Sequence, residues 1–321
     1  MRALYFGTYD RRHPRNVNAI AAMRAAGVDV VERQVPVDHT GLRGALSVFG
    51  AETRLSAPSL RTRVRRDFDV VIVGYPGHFD VPRARRVAGD RPLVFDAVLS
   101  LENELVEVRN RYRPRSTAAT VLRAVDNRAL RLPDLVVCGT RAEAAHLESL
   151  GARRTEAIFL GSNEDVFCET WAPAYPFSAL YVADASHEVV EDAARMVPHL
   201  PVRIVDAPEI PLDERGLAFG HAGIVLGSFG YSRAVPPTVF DALATGAPVI
   251  TADTPAVREL LDDESAVLVP PGDAEALARA LQALADDEVQ RGEIATRGRQ
   301  VYDEHASRRV LGERWASALG A

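Results

Sequence analysis

The chain has 321 residues, 47% apolar and 26% charged, with a formal net charge of −6 at pH 7. That length exceeds what one hydrophobic core usually serves, so two domains are expected, and the mildly acidic balance disfavours nucleic-acid binding, which needs a concentrated basic face. No apolar run approaches the roughly 18 residues that span a bilayer, and the N-terminus MRALYFGTYDRR turns charged too soon for a signal-peptide core.

The expected location is therefore the cytoplasm, with peripheral membrane contact left open. The sequence contains no lysine, so every fixed cationic contact must come from arginine, a helix N-terminus or protonated histidine. The arginines are scattered apart from short groups at Arg61 to Arg66 and Arg109 to Arg115. Cys138 and Cys168 read as two free thiols, too few for a disulfide framework or a zinc site. No metal site is expected.

In chain order, RALYFG (2–7) reads as a buried strand and VNAIAAMRAAG (17–27) as a helix stopped by Gly27. VDVVERQV (28–35), FDVVIVG (68–74) and RPLVFD (91–96) follow as strands. Ser116 to Leu132 is a long amphipathic helix, LVVCGT (135–140) a strand and Arg141 to Gly151 its following helix. This alternation is the signature of strand-helix units on a parallel sheet. The stretch SNEDVFCETWAPAYPF (162–177) breaks the pattern and suits a hinge or linker. A second sheet is expected from FSALYVAD (177–184), VRIVD (202–206), GIVLGS (223–228), PVITAD (248–253) and SAVLVP (265–270). Ala274 to Ala285 carries an apolar stripe behind an Asp273 N-cap, and Val289 to Leu319 is helical. The expected organisation is a Rossmann-like domain over 1–165, a second over 166–300, and a terminal helix over 301–321.

Ligands on open parallel sheets sit beyond the carboxyl ends of strands, so the loops there are the candidate sites. GTYDRRHPRN (7–16) offers Thr8, Tyr9, Arg15 and Asn16 but lacks a dinucleotide-binding glycine fingerprint. Arg15 and Asn16 fall at a helix start, which favours anions; the alternative is capping by Asn16 with Arg15 in solvent. GYPGHFD (74–80) displays His78, suited to a hydroxyl or to proton transfer, and Asp80, which otherwise caps the next helix. Asp96 ends a strand, and Glu164 sits near the expected hinge. The strongest unit runs from Gly227 to Leu261: strand, glycine loop with Gly230, a helix opened by Pro236 or Pro237 and closed by Gly246, and a second strand. Its helix N-terminus near Thr238 can face a diphosphate, and Asp241, one turn in, can accept hydrogen bonds from ribose hydroxyls.

The helix of that unit, with DALATGAPVIT, TPAVREL and VLVPPGDAEALARAL after it, resembles the donor-binding region of retaining family-four GT-B glycosyltransferases. YFGTYDRRHPRN, GYPGHFDVP, VFDAVLSL and GSNEDVF resemble an actinobacterial-looking subgroup, so the resemblance covers most of the chain. It implies an α/β GT-B fold of two Rossmann-like domains facing a cleft, the acceptor on the first and a nucleotide-sugar donor on the second. It also implies retention of anomeric configuration without an obligatory metal or cofactor. Asp241 stands where the family's second glutamate binds ribose, His78 lies near its cleft-facing histidine, and the helix around Trp315 crosses back to brace the first domain. Arg233 stands where the first glutamate would be, and the stretch ASHEVVEDAARM has neither the usual arginine nor the lysine for the diphosphate. Arg233 and Arg258 are the remaining local cations, with His187 a weak third.

The leading expectation is glycosyl transfer from a nucleoside-diphosphate sugar to a small or carrier-bound acceptor, with Arg233 and the helix N-terminus stabilising the leaving diphosphate and His78 touching the reacting groups. The alternatives are a non-catalytic or partner-dependent GT-B module and, third, a sugar-nucleotide epimerase. Donor sugar, base, acceptor and oligomeric state are not legible in the sequence.

Overall fold

A computed structural model of the chain describes residues 1–35, 68–103, 106, 112–174, 177–206 and 210–321. The Arg61 to Arg66 group, and Arg109 and Arg111 of the second group, lie outside the described residues. The chain forms two compact units, Met1–Ile158 with Leu311–Ala321, and Phe159–Val310.

The first unit is built on a six-stranded sheet of order β2-β1-β3-β4-β5-β6, with every pair parallel. Its strands are β1 (Arg2–Gly7), β2 (Asp29–Gln34), β3 (Val70–Val73), β4 (Leu93–Asp96), β5 (Leu135–Cys138) and β6 (Thr155–Ala157). The central ones are buried on both faces, which is why they read as unbroken apolar runs such as VVIV and LVVC rather than as alternating patterns. Helices α1 (Pro14–Ala25), α2 (Val81–Ala88), α3 (Thr117–Arg131) and α4 (Arg141–Ser149) connect them. Local chemistry sets their starts. Ser116 accepts from Ala119 N at 3.2 Å, and Thr140 and Glu143 form a reciprocal capping box on α4.

The second unit carries a five-stranded parallel sheet of order β11-β10-β9-β7-β8. Its strands are β7 (Ala179–Val182), β8 (Val202–Val205), β9 (Ile224–Leu226), β10 (Val249–Ala252) and β11 (Val267–Val269). The helices are α5 (His187–Met196), α6 (Leu212–Gly220), α7 (Pro237–Thr245), α8 (Ala274–Asp286), α9 (Glu288–His305) and α10 (Arg308–Leu319), the last of which begins in this unit and continues in the first from Leu311. Asp273 caps α8 as expected, accepting from Ala276 N at 2.8 Å.

The units divide between Ile158 and Phe159 and again between Val310 and Leu311, whereas the sequence pattern suggested breaks at 165 and 300. Packing accounts for both differences. Phe159, Leu160 and Val166 pack against the core cluster that contains Phe167, Phe240 and Tyr302, so the run past β6 belongs to the second unit. The stretch 162–174 is irregular but docked on that unit, with Thr170 N and Trp171 N donating to Thr245 O at 3.1 and 3.0 Å. Helix α9 buries Ile294, Val301 and Tyr302 in the same unit, and the helical run breaks at Ala306 and Ser307 before α10. Trp315 of α10 is 1% exposed within the first unit.

Candidate functional site

In open parallel sheets the ligand crevice lies where strand order reverses. In the second unit β7 stands between β9 and β8, so the reversal falls at β7/β9, and the loops that flank it run from β7 to α5 and from β9 to α7. A Cβ on Gly227, just past β9, would lie 2.5 Å from Thr251 Oγ1, so only glycine lets this strand end lie so close to β10. Phe229 is then held on both sides: its N–H donates to Ser186 Oγ at 2.9 Å and its carbonyl accepts from Gly272 N at 2.8 Å. Ser186 Oγ and Tyr181 OH both donate to Asp184 Oδ1, at 2.6 and 2.5 Å, so the β7–α5 loop is an internally bonded brace for the β9–α7 loop. Beyond Phe229, Gly230 and Tyr231 are exposed and Arg233 is half-buried.

Helix α7 begins at Pro237 after Pro236, with no side chain capping its N-terminus and no acidic residue in its first turn, and Thr238 lies half-buried in that turn. Such an end presents backbone N–H groups and the positive pole of the helix dipole. Gly246 closes the helix at φ 80°, the left-handed conformation that suits glycine. Asp241, one turn in, accepts a hydrogen bond from Ser162 Oγ at 2.5 Å. Burial pushes its carboxyl up to about 7, against the lowering effects of the Ser162 bond and the Arg215 charge. A carboxylate so perturbed beside an uncapped helix end is a candidate functional group. Arg258, expected as a donor-side cation, is instead gripped by Asp253 at 2.7 and 2.8 Å and by Asp263 at 3.0 Å, so its charge is already met.

In the first unit the reversal falls at β1/β3, between the loops that carry Thr8 and His78. Asp80 does not cap α2 with its side chain. Its Oδ2 accepts from Thr8 N and Thr8 Oγ1 at 2.7 and 2.9 Å, tying the two loops together across the reversal. Asn16 is not the cap of α1 either; His13 holds that position, its Nδ1 accepting from Arg15 N at 3.3 Å. Asn16 Oδ1 accepts from Tyr5 OH and Tyr75 N, and its Nδ2 donates to Asp10 O and Tyr75 O, all within 3.0 Å.

Arg15 is far from solvent at 2% exposure. Its Nε meets both oxygens of buried Asp96 at 2.8 and 3.0 Å, one Nη donates to Ile158 O at 2.6 Å, and the guanidinium lies 5.7 Å from the Trp315 ring centre. The Arg15–Asp96 pair therefore joins α1, β4, the end of β6 and α10. Tyr9 is buried and donates to Glu32 at 3.0 Å.

His78 is buried, edge-on to Phe95, with Nε2 3.0 Å from Leu99 O and 3.6 Å from Asp126 Oδ1. A carbonyl only accepts, so Nε2 carries the proton, and Nδ1 has no hydrogen-bond partner among the described residues. Burial lowers the ring to about 4, which keeps it neutral near pH 7 and makes proton exchange a poor use for it. Glu164 accepts from Tyr302 OH at 3.1 Å and from Arg308 N at 2.6 Å, which satisfies the start of α10. Gly230, Arg233, Thr238 and Asp241 thus fall in one loop-helix unit, Arg15 pairs with Asp96, and Thr8 with Asp80.

Sequence patterns did not point to Ser162, Asp184, Ser186 or Asp126 as partners. Only Asp126 left a trace, as an acid on the apolar side of α3. Among the described residues no group of three or more His, Cys, Asp or Glu side chains is placed to hold a metal, and no helix is long and apolar enough to cross a membrane.

A family model described as glycosyl transferase-like matches residues 187–314, which include the whole β9–α7 unit. No curated protein sequence matches the chain. Among solved structures, sucrose-phosphate synthase from Thermosynechococcus elongatus superposes with a TM-score of 0.69 at 15% identity, over 99% of this chain and 97% of that one. HepE of Anabaena, in complex with UDP-glucose, gives 0.67 at 16% identity over 100% and 99% of the two chains. A glycosyltransferase from Rickettsia africae gives 0.63 at 11%, over 99% and 97%. The fold is the α/β GT-B fold with two parallel-sheet units.

Proposed function

We propose that this chain transfers a glycosyl group from a nucleoside-diphosphate sugar to a small-molecule or carrier-bound acceptor, with retention of anomeric configuration and without an obligatory metal. The observation that carries the proposal is Asp241 placed one turn behind the uncapped, proline-opened end of α7, with a carboxyl raised to about 7. Negative charge grows on the departing diphosphate in the transition state, and the N–H groups of that helix end with Arg233 before it are suited to stabilise it. Asp241 accepts the hydroxyls of the ribose. The glycosyl transferase-like match over 187–314 and the UDP-glucose bound by HepE support the assignment.

The test is a donor panel of UDP-, GDP- and dTDP-sugars with mass detection of products, anomeric configuration read by NMR, and a parallel series in chelator. A glycosylated product that forms equally with chelator and keeps the donor's configuration is expected. Inversion removes the retaining assignment, and loss of turnover restored by a divalent cation removes the metal-independent one.

A second reading is favoured by a specific observation. Arg258 is consumed by two carboxylates, and the β7–α5 loop carries an acid, Asp184, rather than a base. A GT-B module that only binds or assembles with a partner would show no shift in melting temperature with UDP, GDP or dTDP and would yield no product with any donor.

A further inference from the structure

Charge is divided unevenly between the two units. Residues 1–158 with 311–321 hold 27 arginines against 19 aspartates and glutamates, a formal net charge of +8, whereas 159–310 hold 11 against 25, a net charge of −14. A chain that is mildly acidic as a whole therefore contains one strongly basic unit, and the potential of that unit draws anionic surfaces to it.

The connections β3–α2–β4, β4–α3–β5 and β5–α4–β6 step across the sheet in one direction, so right-handed crossovers put α2, α3 and α4 on one face. Within α3, Thr117, Val121, Ala124, Arg128 and Arg131 recur every three or four residues and so form one stripe; all five are exposed, Val121 at 57%. Asp126, the one acid of the helix, is buried and accepts from Leu101 N and Glu102 N at 2.9 Å each. Neighbouring acids are taken by other arginines, Glu102 by Arg123 at 2.6 Å and Asp134 by Arg85 of α2 at 2.8 Å. Arg128 and Arg131, with Arg113 and Arg115 in the exposed run that leads into the helix, have no ion pair among the described residues. The stripe thus joins an exposed valine to cations whose charge is unmet.

We propose that this stripe docks the first unit on an anionic lipid surface, with α3 lying along the headgroups, Val121 and Ala124 reaching between them, and Arg113, Arg115, Arg128 and Arg131 meeting lipid phosphates. Each arginine gains from the negative surface potential of such a bilayer, and the valine gains by leaving water for the acyl boundary. The pairing of the two selects lipid over nucleic acid, whose backbone offers charge but no apolar layer. The stripe lies on a helix rather than in the loops beside the strand-order reversal, and it needs neither donor nor acceptor to act.

Flotation of the full chain with phosphatidylcholine vesicles, and with the same vesicles containing phosphatidylglycerol at about 30%, tests it without any nucleotide or sugar, so the result is independent of the transfer reading. Binding to the anionic vesicles is expected to be about tenfold tighter at about 0.1 M salt, and to lose that advantage at about 0.5 M. Arg128→Gln with Arg131→Gln should weaken it about tenfold or more, and Val121→Ser about threefold. These positions are exposed, so the variants should melt as the unaltered chain does, which thermal melts check. Anisotropy with a fluorescent DNA duplex supplies the competing outcome. Equal partition onto neutral and anionic vesicles, or undiminished binding by the double arginine variant, overturns the proposal. A duplex bound as tightly as the anionic vesicles, or vesicle binding that ignores Val121→Ser, overturns it too, because attraction to any polyanion would then suffice.

Discussion

At Asp241 the carboxylate proposed to accept hydrogen bonds from ribose hydroxyls is also one the fold disfavours in its charged form. Its folded pKa of about 7 lies above the ordinary 3.8, so between those values the native state holds a proton the unfolded chain has released. Stability therefore declines as pH rises through that window and levels off above about 7. Asp241→Asn should match the unaltered chain near pH 4 and exceed it by about 1–2 kcal/mol at pH 8, the partial exposure of the group keeping the gain below the full shift. Nucleotide affinity should run the other way: the unaltered chain binds UDP, GDP or dTDP, whichever it accepts, more tightly as pH rises from 6 to 8, and Asp241→Asn binds weakly and without that slope. Denaturant titrations and calorimetry at the two pH values check both arms. A flat affinity profile in the unaltered chain would remove Asp241 from the ribose.

Arg15 belongs to the same scale. It is 2% exposed and meets Asp96 through two bonds. Arg15→Met, which strands a buried carboxylate, should cost about 3–5 kcal/mol, whereas Arg15→Met combined with Asp96→Leu should recover much of that loss. Equal destabilisation by the single and double variants would mean that the pair is not the source of the cost.

Among the elements, the β9–α7 unit is the most sensitive to a single methyl group. Gly227→Ala places a Cβ 2.5 Å from Thr251 Oγ1 and 3.0 Å from Val239 Cγ2, so the loop must shift. A loss of about 1–3 kcal/mol is expected, together with loss of the nucleotide-induced thermal shift. Thermal melts with and without nucleotide check this, and an unchanged nucleotide response would mean that the loop geometry is not what binds.

The same unit shows what a sequence can reveal. Pro237 at the start and Gly246 at the end of α7 act through their own φ angles and their immediate neighbours, so the helix was legible within a residue. Strands β3 and β5 were legible because both of their faces are buried. The partners of the candidate site residues were not. Asp241 meets Ser162 across 79 residues, Thr8 meets Asp80 across 72 and Arg15 meets Asp96 across 81. No periodicity or spacing encodes a hydrogen bond at that distance. The two capping expectations failed for one reason: Asn16 and Asp80 stand at helix starts as read, but tertiary partners claim their side chains first. Arg258 was misjudged as an available cation because Asp263 reaches it from beyond the 3-10 turn at Val257–Glu259.

At the scale of the molecule, each unit has its own core and its own strand-order reversal, and the loops beside both reversals are braced by carboxylates, the buried Asp80 in one and the exposed Asp184 in the other. In each unit these bonds fix backbone at a sheet edge, as a site that must hold a reacting group in register requires.

The most direct measurement is the rate at which sugar from nucleotide donors appears on an acceptor, read by mass spectrometry for the unaltered chain and for Arg233→Ala. Release of nucleoside diphosphate matched by glycosylated product, with a fall of about 100-fold in the variant, is the expected result. Absence of product with every donor, or an unchanged rate in Arg233→Ala, would contradict the account.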